Sequence, residues 1–404
     1  MNPTPGNRPN EQTLSLTAGF NQFGIDIQRR LDTHENTLLS PLSIGTALTA
    51  IYAGARGTTA NEMAAVLHLR EAPEVVGPCM TNLLATLAPR IGIIREWDQD
   101  KNIRLVEREF YRLSLATALF VAEAYPLHTE FRGVLTNSFG AEFFSDPFAS
   151  PDDSVDRINA WVSERTEGRI TDVLPHGAIT EITRLVLANA VYFKARWADP
   201  FNEHATQPRA FFLAGGERIE VETMRNVADF SYWADKKIGA RAVRIPYEQD
   251  LSMLVLLPDP GREDDVGTAL SATLLARINA AMKQELIDLQ LPRLELSYGA
   301  SLAAVLKQLG MRDMFDETVS NFGGITPDPE GLVVSGVVHK AWVKVDEEGT
   351  EAAATTAVVM ATCQGYTKPP VPIPFAVERP YHFLIQDERS GAILFLGHVM
   401  DPSG

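Results

Sequence analysis

Cysteine is nearly absent from this chain. Cys79 and Cys363 are the two among 404 residues, and two cysteines make no disulfide framework. That usage is compatible with a reducing compartment. Long apolar runs are missing too: none approaches the roughly 20 residues that span a bilayer. The N-terminus MNPTPGNRPNEQ lacks the charged-then-apolar pattern of a secretory leader. The sequence fits a protein that stays inside the cell or a mature secreted form without its leader, and leaves the localisation unknown. Positive charge is the minority sign, with 36 Lys and Arg against 52 Asp and Glu and a formal charge of −16. Such a balance disfavours nucleic acid and anionic membrane as partners.

Catalytic signatures are missing as well. There is no G-x-S-x-G elbow, no H-E-x-x-H, no P-loop and no Cys-x-x-Cys pair. The eight histidines are scattered, without the spacing of a metal site. The expectation is a protein that is not an enzyme, with no catalytic residues, no metal and no cofactor.

What is present reads as an ordinary globular protein, 45% hydrophobic and 22% charged. Length alone would allow two or three domains, but no composition break supports a split. We expect a disordered lead-in over residues 1–12 and one domain over 13–404. Leu16, Phe20, Phe23, Ile27 and Leu31 recur at helical spacing. Ser40-Pro41 is a helix start, because serine can cap free amides and proline suits the first turn. The mixed-charge segment from Gly92 to Arg112 is nearly balanced and is expected to be a solvated helix and loop. A strand is expected over Ser114 to Val121. The apolar run that opens LVLANAVYFKARWADPF, residues 185–201, predicts a central strand buried on both faces. Short strands follow over 211–257, and LQLPRLELS reads as a strand. Leu302, Val305, Leu306 and Leu309 form a helix stripe ended by Gly310. Closing strands are expected over 381–399.

The stretch around 347–375 has three physical characters. Glu347 to Gly349 is acidic and ends in glycine, which tolerates angles that other residues resist, so it reads as a hinge. Thr350 to Met360 is almost all small or β-branched and could become a strand, with Thr350, Ala352, Ala354, Thr356, Val358 and Met360 on one face. Pro369, Pro370, Pro372 and Pro374 then enforce a stiff extended tail. The competing reading is an alanine-rich linker. Linkers are rich in Gly, Ser and Pro, yet no Gly or Pro occurs between Thr350 and Gln364.

HKAWVKVDEEGTEAAATT, residues 339–356, resembles the hinge signature of the serpins, and FLGHVMDP near the C-terminus is similar to their last strand. Segment 36–69, the helix motif DRINAWVSERTEGRITDVLP and the strand at 185–201 also resemble that family, in its order. The resemblance implies an α+β serpin fold: a large central, mostly antiparallel sheet, two further sheets, eight to nine helices and an exposed reactive-centre loop. It implies a monomeric suicide-substrate inhibitor that traps a protease as a covalent acyl complex by inserting its cleaved loop into the main sheet. The alternative within the family is a non-inhibitory chaperone, carrier or storage protein. A heparin partner is not expected, since the segment near the family's basic surface is balanced in charge.

Residue by residue, the resemblance places the hinge at Glu347, Glu348, Gly349, Thr350, Ala352, Ala353 and Ala354. It places a shutter cluster at Ser40, Ser43, Asn189 and His339, and a breach at Trp197, Arg293 and Glu347, with Asp199, Pro200 and Phe201 in the breach motif. The family's count from the hinge glutamate puts the reactive bond at Cys363-Gln364, with Thr362-Cys363, Gln364-Gly365 and Met360-Ala361 as alternatives. No Arg lies between Glu347 and Pro374, and the one Lys there, Lys368, precedes proline. Cys363 after Val358, Val359 and Met360 suits a chymotrypsin-like, elastase-like or papain-like protease. The segment from there to Pro380 is longer than in many serpins, so the exact bond stays open.

Overall fold

The computed structural model describes residues 9–31, 34–88, 91–97, 103–350 and 370–403. Elements are numbered in chain order. Among the described residues there are nine α-helices: α1 (Glu11–Gln28), α2 (Pro41–Tyr52), α3 (Gly57–Leu67), α4 (Val76–Thr86), α5 (Thr129–Phe139), α6 (Pro151–Arg165), α7 (Glu263–Ala269), α8 (Ala272–Ala281) and α9 (Ala303–Leu309). Asn10 caps α1 through its side chain, so Glu11 and Gln12 are helical. Ser40 caps α2 by accepting from the Ser43 amide, with Pro41 in the first turn.

The main sheet has six strands in the order β12 (Leu294–Ser301), β13 (Val334–Val345), β14 (Gly349–Thr350), β6 (Leu185–Arg196), β4 (Tyr111–Ala122) and β5 (Glu142–Asp146). It is mixed: β13 runs parallel to β6 and β4 parallel to β5, while the other pairs are antiparallel. A second sheet orders β1 (Thr37–Leu39), β17 (Ile393–Val399), β16 (Tyr381–Asp387), β10 (Leu251–Pro258), β9 (Ala240–Pro246), β8 (Arg218–Asp235), β11 (Lys283–Pro292) and β15 (Ile373–Ala376), with β7 (Gln207–Phe212) also on β8. The third is a hairpin of β2 (Ile91–Trp97) and β3 (Ile103–Glu109). This corrects the expected solvated helix and loop. Balanced charge does not fix a period, and the β-branched residues spread through both strands favour extended chain.

Helices cover the main sheet on both faces, which is why β6 is buried almost throughout and reads as one apolar run. On one face α6 presents Ile158, Trp161 and Val162 to Phe120, Ala188, Tyr192 and Trp342. On the other, α2 packs with Phe20, Leu42 and Ile51 in the larger core shared with the second sheet. LQLPRLELS divides at Arg293 into the ends of β11 and β12, which belong to different sheets. That division carries Arg293 to the end of the main sheet where β13 finishes.

Candidate functional site

The seam between β6 and β13 is where the expected residues meet. From Val334–Leu185 to Trp342–Tyr192 the two strands pair directly and in parallel. Beyond that the chain turns at Asp346, where the Asp346 and Gly349 backbones bond each other at 2.9 and 3.3 Å. Gly349 and Thr350 then run back between the strands as β14, pairing with Arg196 and Ala195 on one side and Val345 on the other. The first two residues after the turn therefore already form a strand in the sheet.

Only glycine fits at 349. Its φ is +153°, and a Cβ there would lie 2.1 Å from the Ala195 carbonyl oxygen and 2.7 Å from the Arg196 Cα. Thr350 is fully buried, and its hydroxyl shares a 2.7 Å hydrogen bond with the Tyr247 hydroxyl. Tyr247 in turn stacks on Trp197 with ring centroids 4.2 Å apart, and burial pushes its hydroxyl above the usual phenol range.

Trp197 holds the turn from below. Its indole donates to the Asp346 carbonyl and its amide to the Glu348 carbonyl, both at 2.9 Å, while the Phe201 amide donates to the Glu347 carbonyl at 2.8 Å. Glu347 accepts from Arg293 Nε at 2.9 Å and from the Thr206 hydroxyl. Its side chain is 5% exposed against 46% for Arg293, so the pair is not the exposed surface bridge that contributes little. Burial opposes the ionised carboxylate, and the Thr206 and Arg293 bonds outweigh it, holding Glu347 below the usual glutamate range.

Deeper along the same seam, His339 and Asn189 face each other across it. The Ser40 amide donates to His339 Nε2 at 3.2 Å. An amide can only donate, so Nε2 is bare and Nδ1 carries the proton, given to Asn189 Oδ1 at 2.8 Å. Asn189 also bonds the Ser43 hydroxyl and donates to the Thr117 hydroxyl at 3.1 Å. All four expected cluster residues are buried. Burial drives His339 down to about 3, which keeps the ring neutral and this tautomer fixed. The network is a clasp that breaks if the strands part.

Sequence reasoning found Ser40, Ser43, Asn189, His339, Trp197, Arg293, Glu347, Glu348, Gly349 and Thr350, and the structure brings all of them to this seam. It missed Thr117, Thr206 and Tyr247. Thr117 was within the expected β4 strand, and alternation along it was the available signal; the other two carried none. Ala352, Ala353, Ala354, Met360, Thr362, Cys363 and Gln364 lie outside the described residues.

A family model for serpins, serine protease inhibitors, matches residues 18–402. The chain belongs to the serpin family. It is 34% identical over 394 residues to an uncharacterized serpin-like protein of Thermococcus kodakarensis, covering 97% of this chain and 87% of that one. It is 33% identical over 401 residues to the leukocyte elastase inhibitor of Bos taurus, with 96% and 99% covered. The crystal structure of human thyroxine-binding globulin with thyroxine superposes with a TM-score of 0.85 at 24% identity, covering 96% of this chain and 99% of that chain. At that identity it establishes a shared serpin fold alone. Serpins are mostly protease inhibitors rather than enzymes, and some are non-inhibitory.

Proposed function

We propose that this serpin is a suicide-substrate inhibitor of a chymotrypsin-like or elastase-like serine protease, attacked at Cys363-Gln364. The observation that carries the reading is β14, a two-residue strand already hydrogen-bonded between β6 and β13. Chain that follows it has a ready track, because each further residue can add to a ladder whose first rung exists. Seventeen residues at about 3.3 Å each span roughly 55 Å, so a protease tethered at the cleaved end would travel the length of a domain. Around ten new backbone hydrogen bonds at about 1 kcal/mol net supply on the order of 10 kcal/mol, comparable with a domain's whole stability.

The clasp of His339 and Asn189 sets the opposing cost. It must open for the loop to pass, and its buried partners then need new ones. Glu347, held by Arg293 and Thr206, fixes the turn from which the loop enters. Incubation with chymotrypsin, an elastase and a papain-like protease, followed by a denaturing gel and the mass of the released peptide, tests the reading. A denaturation-resistant complex with a peptide beginning at Gln364 is the expected result. Clean cleavage by every protease without complex would overturn it in favour of a non-inhibitory carrier, chaperone or storage protein; a complex with only the papain-like enzyme would change the target class.

A further inference from the structure

Among the described residues, Arg209 of β7 is a charge without a bonded partner. Its Nε is buried and meets no hydrogen-bond acceptor, and its guanidinium makes no ion pair. Such a group costs free energy that one carboxylate would recover, and the chain has 52 acidic residues to draw on. The carboxylate whose charge reaches Arg209 is Asp288 of β11. Asp288 is already engaged: Arg225 grips both its oxygens, at 2.7 and 2.9 Å, and the Gln290 side chain bonds it too. Arg209 is left with unused donors.

Arg209 lines a cavity of about 350 Å³, within the size range of small-molecule sites. Part of the wall is small and apolar: Pro208 and Ala210 beside Arg209, and Ala376 and Val377 at the end of β15. Three more charged side chains line the same space, Arg218, Glu220 and Glu378. They are 59, 67 and 44% exposed, so they stand at the mouth, whereas the buried Nε sets Arg209 at the floor. Both carboxylates are loosely held, Glu220 by Arg218 at 3.4 Å and Glu378 by Arg379 at 3.6 Å, against 2.7–2.9 Å for a close charged pair.

Charge complementarity selects the occupant. A simple anion on Arg209 faces Glu220 and Glu378 at the mouth, and a simple cation faces Arg209 at the floor. A molecule carrying both signs satisfies each. We propose that this cavity binds a free amino acid with a short apolar side chain. Its carboxylate pairs with the Arg209 guanidinium, its ammonium turns toward Glu378 and Glu220, and its side chain lies against Ala210, Ala376 and Val377. A guanidinium takes a carboxylate through two parallel bonds, which fixes orientation as well as position. None of these residues belongs to the seam of β6 and β13, so the site stands independently of the inhibitory reading.

Calorimetric titration of the full chain with L-leucine, in the absence of any protease, is the test. We expect a dissociation constant of about 1 mM or tighter. Isocaproate, which is leucine without its ammonium, and isoamylamine, which is leucine without its carboxylate, should each bind about tenfold more weakly or worse. Arg209→Gln should weaken leucine by about tenfold and Glu378→Gln by about threefold. If Arg209→Gln fails to fold, Glu378→Gln and the two analogues on the parent still decide. No leucine binding up to about 10 mM would overturn the proposal. Isocaproate binding within about twofold of leucine would overturn it as well, since the cavity would then take a plain anion. Leucine affinity unchanged in both variants would place the binding elsewhere and overturn it too.

Discussion

Replacing Thr350 with arginine puts a charge where the sheet admits none. Thr350 is 0% exposed, paired with Ala195 and Val345 and hydrogen-bonded to Tyr247. An unpaired buried guanidinium costs several kcal/mol. Withdrawing β14 from the sheet instead gives up about three hydrogen bonds, or roughly 3 kcal/mol net, and is the cheaper escape. The variant therefore keeps its fold and leaves its hinge outside. On the proposed inhibitory mechanism, loop insertion must then begin from a state about 3 kcal/mol further uphill, which is a factor of about 100 in rate. Hydrolysis of the acyl-enzyme is untouched, so the partition shifts to cleavage. Titration against the protease on a denaturing gel should show the stable complex falling at least tenfold while cleaved inhibitor accumulates. Thr350→Val keeps the shape, loses one bond and leaves the Tyr247 hydroxyl unpartnered; its complex yield should lie between the two. Full complex yield from Thr350→Arg would refute the reasoning that β14 starts insertion.

Gly349→Ala should act in the same direction, because its Cβ would strike backbone atoms of Ala195 and Arg196 that cannot step aside; the gel assay checks it. His339→Phe leaves the Ser40 amide without its partner and the Asn189 oxygen with the Ser43 hydroxyl alone, a loss of about 2–3 kcal/mol. For about 400 residues that is a fall in thermal midpoint of about 2–4 °C, readable by calorimetry. His382 and His398 stack at 4.3 Å between β16 and β17, both buried. Burial lowers both, with the neighbouring ring adding to the effect at His382 and His398 brought to about 4 despite the Asp264 charge nearby. An unfolded chain takes up protons on them below about pH 6.5, whereas the folded chain does not. Their neutral form thus favours folding fully above that pH, and stability falls as pH drops toward 4, by up to about 1.4 kcal/mol per unit for each ring. Thermal midpoints between pH 7 and 5 should fall more steeply in the parent than in His382→Leu with His398→Gln; parallel curves would refute this.

Legibility in the sequence followed how far each signal reached along the chain. The β6 run, the Ser40 cap and the α6 stripe were local patterns of burial or capping, and each held. The charge-balanced stretch at 92–112 failed because charge carries no period, and the hairpin was lost with it. LQLPRLELS was read as one strand although its apolar alternation slips by one residue between Leu291 and Leu294, and it is at that slip that the two sheets divide it. That division matters beyond the fold. Arg293 lies at the junction of the two sheets, and from there its guanidinium reaches Glu347 where the hinge turns. The family motifs identified both partners, but Thr206 and Tyr247, which complete the grip on Glu347 and Thr350, come from segments with no local mark of their role. The hinge is therefore legible as a sequence while its restraint is legible only in space. Since the restraint decides whether Thr350 stays seated, the insertion that the proposed inhibitory reading requires would be controlled by residues that no reading of the hinge alone would select.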